Sequence, residues 1–122
     1  MKVKIDTKEK MHVITPDVTV LSANMTEEVN KMLLQYLNKK IKNIVLKLKN
    51  VVEMNEQIAE AFVILQQKFS DNNASFVICE IQKPVELVLE KLELSDALNI
   101  VPTESEAWDI VQMEEIEREF LC

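Results

Sequence analysis

Glycine is absent from all 122 residues, where an average protein would use it at about 7% of positions. Phosphate-binding loops that need a bare backbone, GxGxxG and the P-loop among them, are therefore excluded. Left-handed turn positions must fall to other residues, and Asn50, Asn72 and Asn73 are the candidates. Histidine is nearly absent too. His12 stands alone, so neither a Ser-His-Asp triad nor a two-imidazole metal site has material beyond one strand residue. The two cysteines make no disulfide framework: Cys79 lies in the apolar run Phe76-Val77-Ile78-Cys79 and reads as a small hydrophobe, and Cys122 is the last residue.

Long hydrophobic runs are lacking as well. No segment approaches the roughly 18 apolar residues of a membrane span, and Met1-Lys2-Val3-Lys4-Ile5-Asp6 has no signal-peptide core, so a cytoplasmic location is expected. Positive charge is short: 14 Lys and Arg face 21 Asp and Glu, for a net charge of −7. A phosphate backbone would be repelled, which excludes nucleic acid as the expected partner. What is plentiful is apolar side chain, at 48%, enough for one domain over residues 1–122 to bury a core without disulfides or metal.

Periodicity divides the chain into alternating elements. Val3 and Ile5, then Met11 and Val13, alternate with polar neighbours around Thr7-Lys8-Glu9-Lys10 and predict a hairpin. Val18 to Leu21 reads as a short strand or extended segment feeding a helix. A helix follows, with Asn24 and Glu27 at capping-box spacing, Val29, Met32, Leu33, Tyr36 and Leu37 on one face, and Lys39-Lys40 at its end. Ile44, Leu46 and Leu48 face one side of a strand whose other side carries Val45, Lys47 and Lys49. The next helix is expected to bury Ile58, Ala61, Phe62, Leu65 and Phe69. Ser75 to Ile81 predicts an interior strand, Pro84 the first residue of a third helix, and Ala97 to Val101 a last short strand. Thr103 and Glu106 then cap a fourth helix through Ala107, Trp108, Ile110 and Val111. This alternation predicts an α/β fold.

The most informative stretch is Ile44 to Phe62, where the strand Ile44-Val45-Leu46-Lys47-Leu48 leads through Met54 and a polar turn into the helix carrying Phe62-Val63-Ile64-Leu65. Such strand-to-helix turns display backbone N–H groups. The segment resembles the STAS domain of bacterial anti-sigma-factor antagonists, and the order of elements matches that family over roughly residues 8 to 113. The resemblance implies a mixed β-sheet of four to six strands with about four helices packed on it. It also implies a signalling role in transcription regulation rather than catalysis.

In that family the turn reads Asp-Ser-Ser/Thr-Gly, and its second hydroxyl residue is phosphorylated by a partner kinase. Here the matching positions are Asn55, Glu56, Gln57 and Ile58. Asn55 keeps the N-cap role, Gln57 replaces the phosphate acceptor, and Glu56 places one charge beside it. Either the switch is lost and binding is constitutive, or Glu56 holds the module in one permanent state. The resemblance thus implies a protein partner, an anti-sigma-factor kinase, bound through the strand, turn and helix at 53–62 by Met54, Asn55, Glu56, Gln57 and Glu60. The alternative is an accessory or assembly subunit of a transporter or signalling complex.

Glu53, Glu56 and Glu60 could present paired carboxylates, yet acids in a first helical turn more simply complement the helix dipole. No second titrating base accompanies them, so no enzyme, no cofactor and no metal is expected. Met25, Met32 and Met54 read as core filler, with Met54 partly exposed at the turn. Residues 114–122 form an acidic helical extension carrying Ile116, Phe120 and Leu121. Those residues are either simply solvated or a contact with a partner or a second copy in a homodimer.

Overall fold

The computed structural model describes residues 1–121; Cys122 lies outside the described residues, as does the side chain of Leu121. Among the described residues, seven strands and four α-helices follow one another. They are β1 (Val3–Thr7), β2 (His12–Pro16), β3 (Val20–Leu21), α1 (Thr26–Leu34), β4 (Ile44–Lys47), β5 (Glu53–Met54), α2 (Glu56–Asp71), β6 (Phe76–Cys79), α3 (Lys83–Lys91), β7 (Ile100–Val101) and α4 (Glu104–Leu121). The expected hairpin pairs β1 with β2 antiparallel, Val3 opposite Pro16 and Thr7 opposite His12. All later pairings in the main sheet are parallel, in the order β1-β2-β4-β6-β7. The alternation's α/β fold is thus observed, and the five-stranded mixed sheet with four helices lies within what the STAS resemblance implies.

Strand alternation splits the apolar residues between two layers. Ile14, Ile44, Leu46, Phe76 and Ile78 meet Val29 and Leu33 of α1, Ile58, Phe62, Leu65 and Phe69 of α2, and Val85 and Leu89 of α3. Val13, Val45, Val77 and Cys79 point the other way and are covered by Ala107 and Val111 of α4. So β6 is buried on both faces, as its unbroken apolar run requires. Phe62 and Phe69 both reach the ring of Phe76, with centroids 6.2 and 5.6 Å away.

Several boundaries differ from the sequence expectation. Asn24 does not cap α1: residues Ala23–Met25 wind as a tight 3-10 turn, Asn24 accepts the Ser22 hydroxyl, and α1 begins at Thr26. The same tightening ends α1 at Leu34, with Gln35–Asn38 again 3-10 and Lys39 extended. Pro84 is the second residue of α3 rather than the first, which is equally tolerable because neither N–H has a helical partner. The expected strand from Ala97 shrinks to Ile100–Val101 because Ser95–Ala97 forms another 3-10 turn.

The left-handed positions are only partly those expected. Asn73 adopts φ 57°, but Asn50 and Asn72 do not, and Glu80 (φ 54°) and Glu93 (φ 58°) take the other two places. Asn73 and Glu93 close α2 and α3 in the same way. Ala74 N–H reaches Phe69 O and Asn73 N–H reaches Ser70 O; Leu94 N–H reaches Leu89 O and Glu93 N–H reaches Glu90 O. Each is a complete Schellman closure, in which the left-handed residue is usually glycine.

Candidate partner-binding site

Backbone bonds tie the segment between β4 and α2 to the chain that follows β2. Val52 and Glu53 donate to Thr19 O at 2.8 and 3.2 Å, β3 runs parallel to β5 with Val20 opposite Glu53 and Leu21 opposite Met54, and Asn55 N–H donates to Leu21 O at 2.9 Å. This two-residue pair, which no local pattern signals, stitches the segment after β2 to the start of α2. Asn55 is extended (φ −73°, ψ 149°), and its Oδ1 accepts the Gln57 N–H at 2.8 Å, the capping role expected of it.

The five residues singled out from the sequence do not share one environment. Asn55, Glu56, Gln57 and Glu60 are exposed, whereas Met54 is 4% exposed and packs in the core with Ile58 and Ala59. The expectation of a partly exposed Met54 is corrected: strand pairing with Leu21 turns its side chain inward, so it supports the turn from beneath. Glu56 approaches Lys91 of α3 at 3.7 Å, but both side chains are more than half exposed, so the pair contributes little.

Beside the turn, α1 and α2 enclose a shallow groove of about 250 Å³ lined by Thr26 and Asn30 from one helix and Gln57, Glu60, Ile64 and Lys68 from the other. Leu34, Ala61 and Leu65 also line the groove, and Ile64 beside them is 58% exposed. It sits off the buried 58, 61, 62, 65, 69 stripe, and that phase alone could have marked it as surface. Thr26 and Asn30 gave no such signal, because only the packing of α1 on α2 brings them there.

Other chemistry-bearing residues lie elsewhere and are committed to structure. The His12 Nε2–H donates to Ile41 O at 3.0 Å, its Nδ1 accepts the Thr7 hydroxyl at 2.9 Å, and its ring lies 4.7 Å from that of Tyr36. Lys47, at the end of β4, meets Glu104 at 3.1 Å and Glu80 at 3.5 Å. The hydrogen bond that Lys47 donates to Glu104 raises its pKa against the opposing effect of partial burial. Cys79 next to this cluster is fully buried, and desolvation, reinforced by Glu80, pushes its thiol up to about 12, which removes it as a nucleophile. Asp17 lines a separate hollow with Lys2, Lys49 and Asn50, so it does not join the glutamates of the turn. Among the described residues, no group of three or more His, Cys, Asp or Glu is placed to hold a metal, and no helix is long and apolar enough to cross a membrane.

The fold and this turn can be set against known proteins. The family model for the STAS domain matches residues 2–107. The chain belongs to the STAS domain family. A Thermotoga maritima protein described as a candidate anti-sigma factor antagonist superposes with a TM-score of 0.79 at 21% identity, over 90% of this chain and 94% of the other. The anti-sigma factor antagonist SpoIIAA in its unphosphorylated form gives 0.71 at 14% identity, over 91% and 96%. A murine anion transporter, Slc26a9, gives 0.69 at 12% identity; 85% of this chain corresponds there to 18% of the transporter. Among curated protein sequences none matches significantly. At these identities the likeness to the solved structures is one of fold.

Proposed function

We propose that this STAS domain is a non-enzymatic bacterial regulatory module of the cytoplasm that binds a protein partner through Asn55, Glu56, Gln57 and Glu60 over the strand, turn and helix at 53–62. The partner class is an anti-sigma-factor kinase, acting in transcription regulation, and the phosphate switch of the family is lost. The observation that carries this reading is an exposed, backbone-anchored turn whose family acceptor position holds Gln57, a side chain that cannot take phosphate. The groove lined by Leu34, Ala61, Ile64 and Leu65 supplies apolar surface beside the turn, as partner interfaces require near their centre.

The test pairs the purified protein with an anti-sigma kinase from its own genome and ATP. Mass spectrometry is expected to find no phosphate on the turn, and Gln57→Glu is expected to weaken binding about ten-fold, roughly 1.4 kcal/mol, with the melting temperature unchanged or slightly raised. Stoichiometric phosphate on Ser70, Ser75 or another hydroxyl would replace the lost switch with a shifted one. If Gln57→Glu, Glu56→Lys and Asn55→Ala all leave affinity unaltered, the turn is not the interface. A second reading, an accessory domain of a transporter or signalling assembly, draws on the likeness to the anion transporter. Co-purification with a membrane complex instead of a kinase would favour it.

A further inference from the structure

The last turns of α4 carry their polarity inside out. A helix lying on a sheet normally buries apolar side chains and exposes charged ones. From residue 113 onward α4 does the reverse. Beneath it, Glu115 accepts Asn43 Nδ2 at 2.7 Å, Glu114 accepts Asn99 Nδ2 at 3.3 Å, and Arg118 donates to Ser75 Oγ at 3.3 Å and Asn43 Oδ1 at 3.4 Å. Outside it, Met113, Ile116 and Phe120 are 49%, 50% and 85% exposed. These are three of the eight large apolar side chains exposed among the described residues, and they form one stripe about 10 Å long.

The stripe has the 3-4 spacing of a helix-pairing seam. With Met113 at position a, Ile116 falls at d and Phe120 at the next a, while Arg118 falls at f, on the side turned toward the protein. The flanking e and g positions are Glu117 and Glu119, both exposed. Arg118 is the only cation in α4, and its inward turn leaves the outer face acidic. In paired helices, e and g charges select the partner: two copies of this seam would set glutamates against glutamates, whereas lysine or arginine at those positions would match them.

We propose that the outer face of α4, through Met113, Ile116 and Phe120, docks a basic amphipathic helix of a partner protein. This surface lies on the sheet face opposite α1, α2 and α3, so it is separate from the turn at Asn55. The domain can then hold two partners at once.

The probe is a synthetic peptide of about three heptads with Leu at a and d and Lys at e and g, long enough to form a helix in water. A scrambled peptide of the same composition is the control, since any basic peptide is drawn to a chain of charge −7. By fluorescence anisotropy the patterned peptide is expected to bind at least about ten-fold more tightly than the scrambled one. Ile116→Ser and Phe120→Ser, which change no charge, are expected to abolish that difference with melting unaltered. Gln57→Glu is expected to leave it intact. Equal binding of both peptides, or loss on Gln57→Glu but not on Ile116→Ser, would overturn the proposal. So would sedimentation showing a dimer that Ile116→Ser dissolves, because a second copy would then own the face.

Discussion

Asn43 is a buried polar residue on which three other parts of the chain converge, and Asn43→Ala measures what that junction is worth. Its Nδ2 donates to Lys10 O at 3.0 Å and to Glu115 at 2.7 Å, and its Oδ1 accepts the Ser75 N–H at 2.8 Å. Asn43 is 4% exposed and Ser75 1%. Alanine orphans the Ser75 N–H and the Lys10 carbonyl, each worth about 1–3 kcal/mol when buried without a partner. The space vacated by the amide lies near the half-exposed Lys10, where water can enter, so the lower end, about 1 kcal/mol each, applies. Loss of the charge-assisted bond to Glu115 adds about 1 kcal/mol. The expected cost is about 3 kcal/mol, or roughly 10 °C in melting temperature for a domain of this size. Ser75→Ala, which removes only a hydroxyl held by Arg118, is expected to cost under about 1 kcal/mol. Urea and thermal denaturation followed by circular dichroism read both. A cost for Asn43→Ala equal to that of Ser75→Ala would refute the reasoning, since it would mean that water or a small backbone shift satisfies the orphaned groups.

Phe62→Ala is expected to lose about 3–5 kcal/mol in urea melts, because the ring is 1% exposed against Phe76, while exposed Glu60→Ala stays within about 0.5 kcal/mol. Equal costs would mean that the phase of α2 is wrong. Glu93→Gly is expected to stabilise by about 1 kcal/mol, since it relieves a left-handed backbone at the end of α3; a destabilisation in thermal melts would show that the Glu93 side chain contributes more than the strain costs. In a Cys122→Ser background, Cys79 is expected to resist iodoacetamide until the protein unfolds. Its pKa is raised on folding, so stability is full below the unfolded value of about 8.5 and falls as pH rises toward about 12, by up to about 1.4 kcal/mol per unit. Cys79→Ala should lack that slope between pH 9 and the alkaline limit of the fold, and an unchanged slope would assign it to other groups. A chain cut after Met113 is expected to keep cooperative melting but to lose about 1–2 kcal/mol, the bonds of Glu115 and Arg118 to Asn43 and Ser75. Unchanged stability would mean that those bonds are solvent-compensated.

Elements whose signal is local were readable in the sequence. The 58, 61, 62, 65, 69 stripe, the alternation of Ile44, Leu46 and Leu48, and the unbroken run of β6 all state in their own residues which face is buried. The cap at Asn55 was equally plain. What escaped depends on residues far apart: Leu21 and Met54 pair across 33 positions to make β3 and β5, and Thr26 and Asn30 join Gln57 only through helix packing. Asn43, set between Lys42 and Ile44, has no pattern to distinguish it from a surface amide. Glu80 and Glu93 escaped for a further reason. Glutamate has no preference for a left-handed backbone, so neither residue's type marks the position that it occupies.

The backbone clasp between β3 and β5 separates where the turn is from what it displays. Leu21 O and Thr19 O take hydrogen bonds from main-chain groups that every residue except proline possesses, so with Asn55 kept as the cap, positions 56 and 57 can change chemistry without moving. A hydroxyl, an amide or a carboxylate at position 57 would be presented at the same height above the sheet and beside the same groove. Selection acting on recognition is thereby freed from selection acting on folding. A domain built this way can discard a modifiable residue and retain an intact platform, on which a new specificity needs only surface substitutions.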